Sequence, residues 1–324
     1  MARVLVTGGA GYVGSHMMKA LTRAGHDAFA YDNLSTGNRD AVLYGNLIEG
    51  CMSDIALLRS TLKEWNIDAV MHFASSIEVG ESVVSPRKYY ENNVTNSLNL
   101  IHAMMDLKIP RLIFSSTAAV YGTPQQNSIG EDAVIQPINP YGRTKALIES
   151  VLNDYRQAYG FASTSLRYFN AAGADPEGEL GERHEPETHL IPLIIQAAMG
   201  LQSKISIFGQ DYDTPDGTCV RDYVHVTDLC DAHLLALNHL LEGGRGRSYN
   251  LGNGSGFSVS QVIDSVKRIS GQEFLTEIAA RRPGDPAVLV ADATLATSEL
   301  GWAPKFSHLD DIVSTAWNFY SRQN

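Results

Sequence analysis

Apolar residues fall on successive rather than alternate positions in runs such as Val4-Leu5-Val6 and Leu112-Ile113-Phe114. That pattern suits strands buried on both faces, as in a parallel sheet covered by helices. Between the runs, apolar positions recur at helical spacing. The first half therefore reads as strand Arg3–Thr7, helix Tyr12–Ala24, strand Asp27–Tyr31, helix Asp54–Trp65 and strand Asp68–Phe73. Helix Asn93–Leu107, strand Arg111–Ser116, helix Tyr141–Tyr159 and strand Ser163–Tyr168 follow. Strand–helix alternation of this kind predicts a doubly wound α/β fold. After Asn170 the texture changes. Segments 174–189 and 209–217 have little apolar periodicity, and loops of that length in a compact enzyme are usually functional or disordered. Around them lie helix Leu190–Met199, strand Lys204–Phe208, helix Val226–Leu241, helix Ser258–Ile269 and strand Ala287–Ala291. The expected organisation is a dinucleotide-binding domain over residues 1–170, with 222–250 returning to it, and a smaller C-terminal substrate-binding domain over 171–324.

Composition narrows the class. The 324 residues, 44% hydrophobic, are ample for a buried core and exclude a disordered chain. No run approaches the roughly 18 apolar residues of a membrane span, and the N-terminus enters a strand too early for a signal-peptide core. The balance of 25 basic and 36 acidic residues, net −11, disfavours nucleic acid and anionic membrane as partners. Cys51, Cys219 and Cys230 form no CxxC, which suggests free thiols in a reducing compartment and hence a cytoplasmic protein. The ten histidines lack tight ligand spacing, so no metal site is expected, His184 and His189 included.

Three motifs carry chemistry. Gly8, Gly11 and Gly14 follow the first strand and open the first helix. Glycines so spaced permit a tight turn, close approach of backbone to a pyrophosphate, and close helix–strand packing; the helix N-terminus offers free amides to the anion. Asp32 ends the next strand, where a carboxylate accepts from a ribose 2′-hydroxyl and repels a 2′-phosphate. The cofactor expected is NAD rather than NADP, on a Rossmann-type sheet. Tyr141 and Lys145 stand four apart and share a helix face; the ammonium is expected to lower the tyrosine pKa toward that of a working base. Ser115, Ser116 and Thr117 end a strand, where open α/β sheets bind ligands.

Together these features resemble the extended short-chain dehydrogenase/reductase superfamily. Longer strings, from Ser116 to Gly122, Asn139 to Lys145, Arg167 to Gly173, Phe208 to Thr218 and Val220 to Val226, resemble the UDP-glucose 4-epimerase family within it. The resemblance runs essentially end to end. It implies bound NAD, removal of the sugar 4-hydroxyl proton by Tyr141 as C4 gives up hydride, turnover of the 4-keto sugar, and hydride return to the other face. Lys145 would partner Tyr141, and Thr117 would position the 4-oxygen. Cofactor contacts would come from Gly8, Gly11, Tyr12, Val13, Gly14, Asp32, Asn33, Phe73, Ala74, Asn93, Ser115, Tyr141, Lys145 and Tyr168. The UDP-sugar would meet Thr117, Asn170, Leu190, Phe208, Arg221, Arg282, Asp285 and Leu289. Arginines suit a pyrophosphate by their bidentate geometry. A homodimer through the helices 93–107 and 141–159 is also implied, with Ile148, Leu152 and Tyr155 as apolar residues on more than one face.

Two departures concern the cofactor. Cys51 stands where the family usually has an aspartate that contacts adenine, and Ala74-Ser75-Ser76-Ile77-Glu78 lacks a lysine often found after this strand. Leu289 stands where some members carry a tyrosine that excludes an N-acetyl group, so UDP-N-acetylhexosamines join UDP-glucose and UDP-galactose as expected substrates. Alternatives are a 4-epimerase of a UDP-pentose or UDP-uronic acid, and a non-catalytic NAD sensor; the Tyr141/Lys145 pair speaks against the sensor. A 4,6-dehydratase usually has Asp-Glu after the strand-end threonine, where Ala118-Ala119 stand here.

Overall fold

The computed structural model describes residues 1–324 except Gln125, Asn127, Pro283, Gly284 and Asn324. Among the described residues, the doubly apolar runs lie side by side in a seven-stranded sheet. Its order is Ser248–Leu251, Ala162–Tyr168, Arg111–Thr117, Ala69–His72, Arg3–Thr7, Asp27–Asp32, Asn46–Glu49. Every pairing is parallel. Chain order reverses beside Arg3–Thr7, so the carboxyl ends of that strand and of Ala69–His72 flank the crevice where such sheets bind ligands.

Each face of the sheet carries its own core. On one, Val4, Val6, Met71 and Leu166 meet Met17, Met18 and Leu21 of helix Tyr12–Arg23 and Leu229, Ala236 and Leu237 of helix Val226–Leu241. On the other, Leu5, Val70, Leu112 and Phe114 meet Leu58 and Leu62, Leu100, Ile101 and Met104, and Ile148 and Leu152. These last come from helices Ile55–Glu64, Asn96–Asp106 and Pro140–Tyr159. Ile148 and Leu152 are thus fully buried in their own core rather than available to a partner. Exposed apolar residues nearby include Val83 and Val84 of helix Val79–Val84 and Leu147 and Tyr159 of helix Pro140–Tyr159.

Helices expected from periodicity keep their positions within a few residues, with one exception. The segment expected as the start of helix Asn93–Leu107 is a π-helical stretch over Tyr90–Thr95, and regular helix begins at Asn96. A π stretch inserts one residue per turn and re-aims the side chains around it. Strands Asn46–Glu49 and Ser248–Leu251, four residues each at the two sheet edges, lack the uninterrupted apolar run that marks the equally short inner strand Ala69–His72.

Helices Leu190–Ala198, Val259–Ser270 and Leu309–Gln323 share a third core through Ile194, Ile195, Val262, Val266, Ile312 and Val313. Beside it a four-stranded sheet runs in the order Phe257–Ser258, Val220–Arg221, Val288–Ala291, Ser128–Ile129. Strand Asn170–Ala172 pairs with Tyr223–His225, and Lys204–Phe208 with Leu275–Ala279. Residues 220–251 therefore cross from this region back onto the large sheet. No helix among the described residues is long and apolar enough to cross a membrane.

Candidate active site

The glycine turn is dictated by space. Gly8 has φ +75°, and a Cβ on it would lie 2.6 Å from the Ala74 amide nitrogen. A Cβ on Gly14 would lie 2.0 Å from the Gly8 carbonyl oxygen. Only glycine lets the helix start this close to the strand end. Gly11 is the N-cap of helix Tyr12–Arg23 and has no side-chain cap. The amides of Tyr12 and Val13 in the first turn have no intrahelical partner. Asp32, 8% exposed, accepts from the Ala10 amide at 2.9 Å and the Leu34 amide at 2.8 Å. Each carboxylate oxygen keeps a second lone pair. A turn that no Cβ could enter, free helix amides and a fixed carboxylate together fit a dinucleotide.

Around this turn the structure gathers the other cofactor candidates. Phe73 and Ala74 follow strand Ala69–His72, and the Phe73 ring stands 4.8 Å from that of His233. Asn93, buried in the π-helical stretch, pins the same loop: its Oδ1 accepts from the Ser76 amide and its Nδ2 donates to the Ser76 carbonyl. Ser115 and Tyr168, on adjacent strands, share a hydroxyl–hydroxyl hydrogen bond of 2.5 Å. Asn33 Nδ2 donates weakly to Cys51 Sγ at 3.8 Å. The Tyr12 hydroxyl donates to the Gly173 carbonyl at 2.6 Å, tying the first helix to the second half of the chain.

Tyr141 and Lys145 sit in the first turns of helix Pro140–Tyr159, capped by Asn139, whose side chain accepts from the Gly142 amide. Lys145 is 2% exposed. Its Nζ donates to Ser75 Oγ at 2.7 Å and to the Ser115 carbonyl at 2.8 Å, and lies 6.0 Å from the Tyr141 ring centroid. The expectation that Lys145 lowers the Tyr141 pKa is corrected here. Burial raises the Tyr141 pKa above its ordinary value, and the contact with the Thr117 hydroxyl only partly opposes it. Burial also draws Lys145 down to about 7. The ammonium is spent on Ser75 and Ser115, and both groups pay desolvation. Thr117 ends strand Arg111–Thr117 and caps the turn after it, accepting from the Ala119 amide.

A second group of candidates lines the far side. Asn170 is held to Asp222 twice, its amide and its Nδ2 both donating to that carbonyl. Leu190 opens its helix after N-cap His189. Arg221 and Asp285 form an ion pair, and the Arg282 guanidinium stacks 4.1 Å over the Phe208 ring. Leu289 pairs in register with Arg221 and packs, partly buried, against the small cluster formed by Val120, Tyr121 and Ile129. Pro283 and Gly284, between Arg282 and Asp285, lie outside the described residues.

Several groups escaped the sequence reading. Ser75 holds Lys145, though the motif gave no hint of it. Arg281 stacks 4.1 Å over Tyr212, repeating the Arg282–Phe208 arrangement. Arg167, Glu149, Ser116 and Tyr121 form a buried network behind the catalytic helix. Glu182, His184, Glu187 and His189 converge although no metal ligands were expected, because distances in a loop do not follow sequence spacing.

Fold and site together define an NAD-type dinucleotide-binding α/β protein with a Tyr–Lys pair at the binding edge of its sheet. A family model described as "NAD dependent epimerase/dehydratase family" matches residues 4–252. A UDP-glucose 4-epimerase of Azospirillum brasilense is 51% identical, over 97% of this chain and 90% of its own. A UDP-glucose 4-epimerase from Brucella ovis, solved in complex with NAD, is 48% identical with TM-score 0.96 over 98% of both chains. The UDP-Glc/GlcNAc 4-epimerase from Campylobacter jejuni is 41% identical with TM-score 0.88, over 99% of this chain and 100% of its own. The chain belongs to the NAD-dependent epimerase/dehydratase family, and within it to the UDP-glucose 4-epimerases.

Proposed function

We propose that this protein interconverts UDP-glucose and UDP-galactose by inverting C4 through a 4-keto sugar. The observation that carries the reading is the meeting of the Tyr141 and Thr117 hydroxyls at the end of the sheet that also carries the glycine turn. When bound, NAD supplies a hydride acceptor and donor for C4. Tyr141 takes the 4-hydroxyl proton and later returns one to the 4-oxygen. Thr117 orients that oxygen, and Lys145 fixes the loop carrying Ser75 and the strand end at Ser115. The turn at Gly8, Gly11 and Gly14, with the first-turn amides at Tyr12 and Val13, takes the cofactor pyrophosphate, and Asp32 its adenosine ribose. Asn33, Phe73, Ala74, Asn93, Ser115 and Tyr168 complete the cofactor site.

The UDP moiety lies against Asn170, Leu190 and Phe208, with Arg221 and Arg282 on its diphosphate and Asp285 on its ribose. In this reading residues 1–170 with 222–250 form the NAD-binding domain, and the remainder of 171–324 the UDP-sugar domain. The exposed Val83, Val84 and Leu147 support a homodimer, and the three free thiols support a cytoplasmic setting. The test is incubation of pure protein with UDP-galactose without added cofactor. UDP-glucose should accumulate to a fixed ratio, reached equally from UDP-glucose. If neither sugar is converted with NAD supplied, the reading fails.

Activity on UDP-N-acetylglucosamine is a second proposal, favoured by Leu289. Its aliphatic side chain packs against the small cluster of Val120, Tyr121 and Ile129 and puts no phenolic ring of its own beside the sugar 2-substituent.

A further inference from the structure

The segment from Glu182 to His189 runs between the glycine turn and Leu190, and it folds four ligand-type side chains onto one point. Glu182, His184, Glu187 and His189 each offer an atom, all within 4.8 Å of one another. His184 Nδ1 lies 3.0 Å and His189 Nδ1 2.8 Å from Glu182 Oε1. His189 Nδ1 lies 3.2 Å from Glu187 Oε1, and His184 Nδ1 4.0 Å from Glu187 Oε2. In a tetrahedral site with bonds of about 2.0–2.1 Å, ligand atoms stand roughly 3.3 Å apart. The observed separations straddle that value.

Burial makes the arrangement costly without a cation. The side chains of Glu182 and Glu187 are only 5% and 4% exposed. Among the described residues, no Lys or Arg forms an ion pair with either; their ion-pair partners are His184 and His189. With neutral imidazoles the cluster holds two uncompensated buried charges, which cost several kcal/mol each. Protonated imidazoles would balance the charge but not the hydrogen bonding. Glu187 Oε2 is buried without a hydrogen-bond partner, and His184 Nδ1 faces Glu182 Oε1 at 3.0 Å without hydrogen-bond geometry. Glu187 Oε1, in contrast, is engaged by the Thr188 and His189 amides, which fixes the side chain and leaves Oε2 aimed inward. Two neutral imidazoles and two carboxylates carry a charge of −2, which a divalent ion cancels while engaging both orphaned atoms.

We propose that Glu182, His184, Glu187 and His189 bind one divalent transition-metal ion of the zinc class. Imidazole and carboxylate in tetrahedral array suit Zn(II). The ion is structural. It stands beside the Tyr12 ring, whose centroid is 6.5 Å from that of His184, and the Tyr320 hydroxyl donates to the Glu182 carbonyl. It thereby joins the first helix, the segment leading to Leu190 and the C-terminal helix. The nearby group Asp175, Glu177 and Glu179 is not a second site, because all three carboxylates already hold Lys19.

The test uses the full chain freed of any histidine tag and dialysed against a chelator. Titration with Co(II), followed by visible ligand-field absorption, should saturate at one ion per chain with tetrahedral bands. Zn(II) should then displace it and raise the melting temperature. His184→Gln and Glu187→Gln should each weaken binding by at least the roughly 10–100-fold seen when even outer-shell partners are lost. Asp175→Asn should leave binding unchanged. Absence of stoichiometric Co(II) and Zn(II) binding to folded wild type overturns the proposal. So does unchanged binding in both cluster variants, with circular dichroism confirming their fold.

Discussion

Tyr141 is held neutral by its surroundings: burial raises its pKa, and the nearest cation, Lys145, is itself drawn down to about 7. Tyr141→Phe removes the proton carrier while keeping the ring. Turnover should fall by about 10²–10⁴, the usual share of acid–base catalysis, with the melting temperature nearly unchanged. Near-normal turnover would remove Tyr141 from the mechanism. At Asp32 the carboxylate is held by the Ala10 amide of the glycine turn and by the Leu34 amide of its own loop, so a cofactor 2′-phosphate would meet a charge that cannot swing away. Denatured protein should release NAD or NADH; recovery of NADP would contradict this.

Among the elements, the catalytic helix is positioned from behind by charge. Glu149 on helix Pro140–Tyr159 meets Arg167 on strand Ala162–Tyr168 and Ser116 on strand Arg111–Thr117, all buried. Removing one partner leaves the other as an unpaired buried charge. Arg167→Met should cost about 3–5 kcal/mol in urea denaturation, whereas a loss under about 1 kcal/mol would mean the network is not holding the helix. On strand Val288–Ala291 the same reasoning applies to shape. Leu289→Tyr should abolish conversion of UDP-N-acetylglucosamine and spare UDP-galactose. An unchanged ratio of the two rates would mean that Leu289 only packs the seam.

For the whole molecule, acid should be felt through buried histidines. Burial lowers His72 and His225 to about 3 and His16 and His233 to about 4. These folded-state values lie below the unfolded value of about 6.5. Between them the unfolded chain binds more protons, so stability is full above pH 6.5 and declines as pH falls below it. Each of these four histidines costs on the order of 1–2 kcal/mol by pH 5. Thermal melts should show a clear drop from pH 7 to pH 5, and equal melting temperatures would contradict the burial argument. The proposed dimer is tested at the same scale. Val84→Glu with Leu147→Glu should halve the mass measured by light scattering, and a monomeric wild type would refute it.

Local rules made much of this protein legible in its sequence. The glycine turn is set by sterics within a few residues, the long strands by runs of apolar residues, and the Tyr141/Lys145 face by helix periodicity. Those signals are short-range, so they survive without knowledge of the fold. What required tertiary structure was everything set by burial and by loop closure. Burial fixed the direction of the Tyr141 and Lys145 shifts. The four-residue strands Asn46–Glu49 and Ser248–Leu251 lie at the sheet edges, carry no uninterrupted apolar run and are defined by their neighbours. The convergence of Glu182, His184, Glu187 and His189 has no period at all. It follows from how one irregular segment is folded against Tyr12 and Tyr320, a long-range contact that no local spacing encodes.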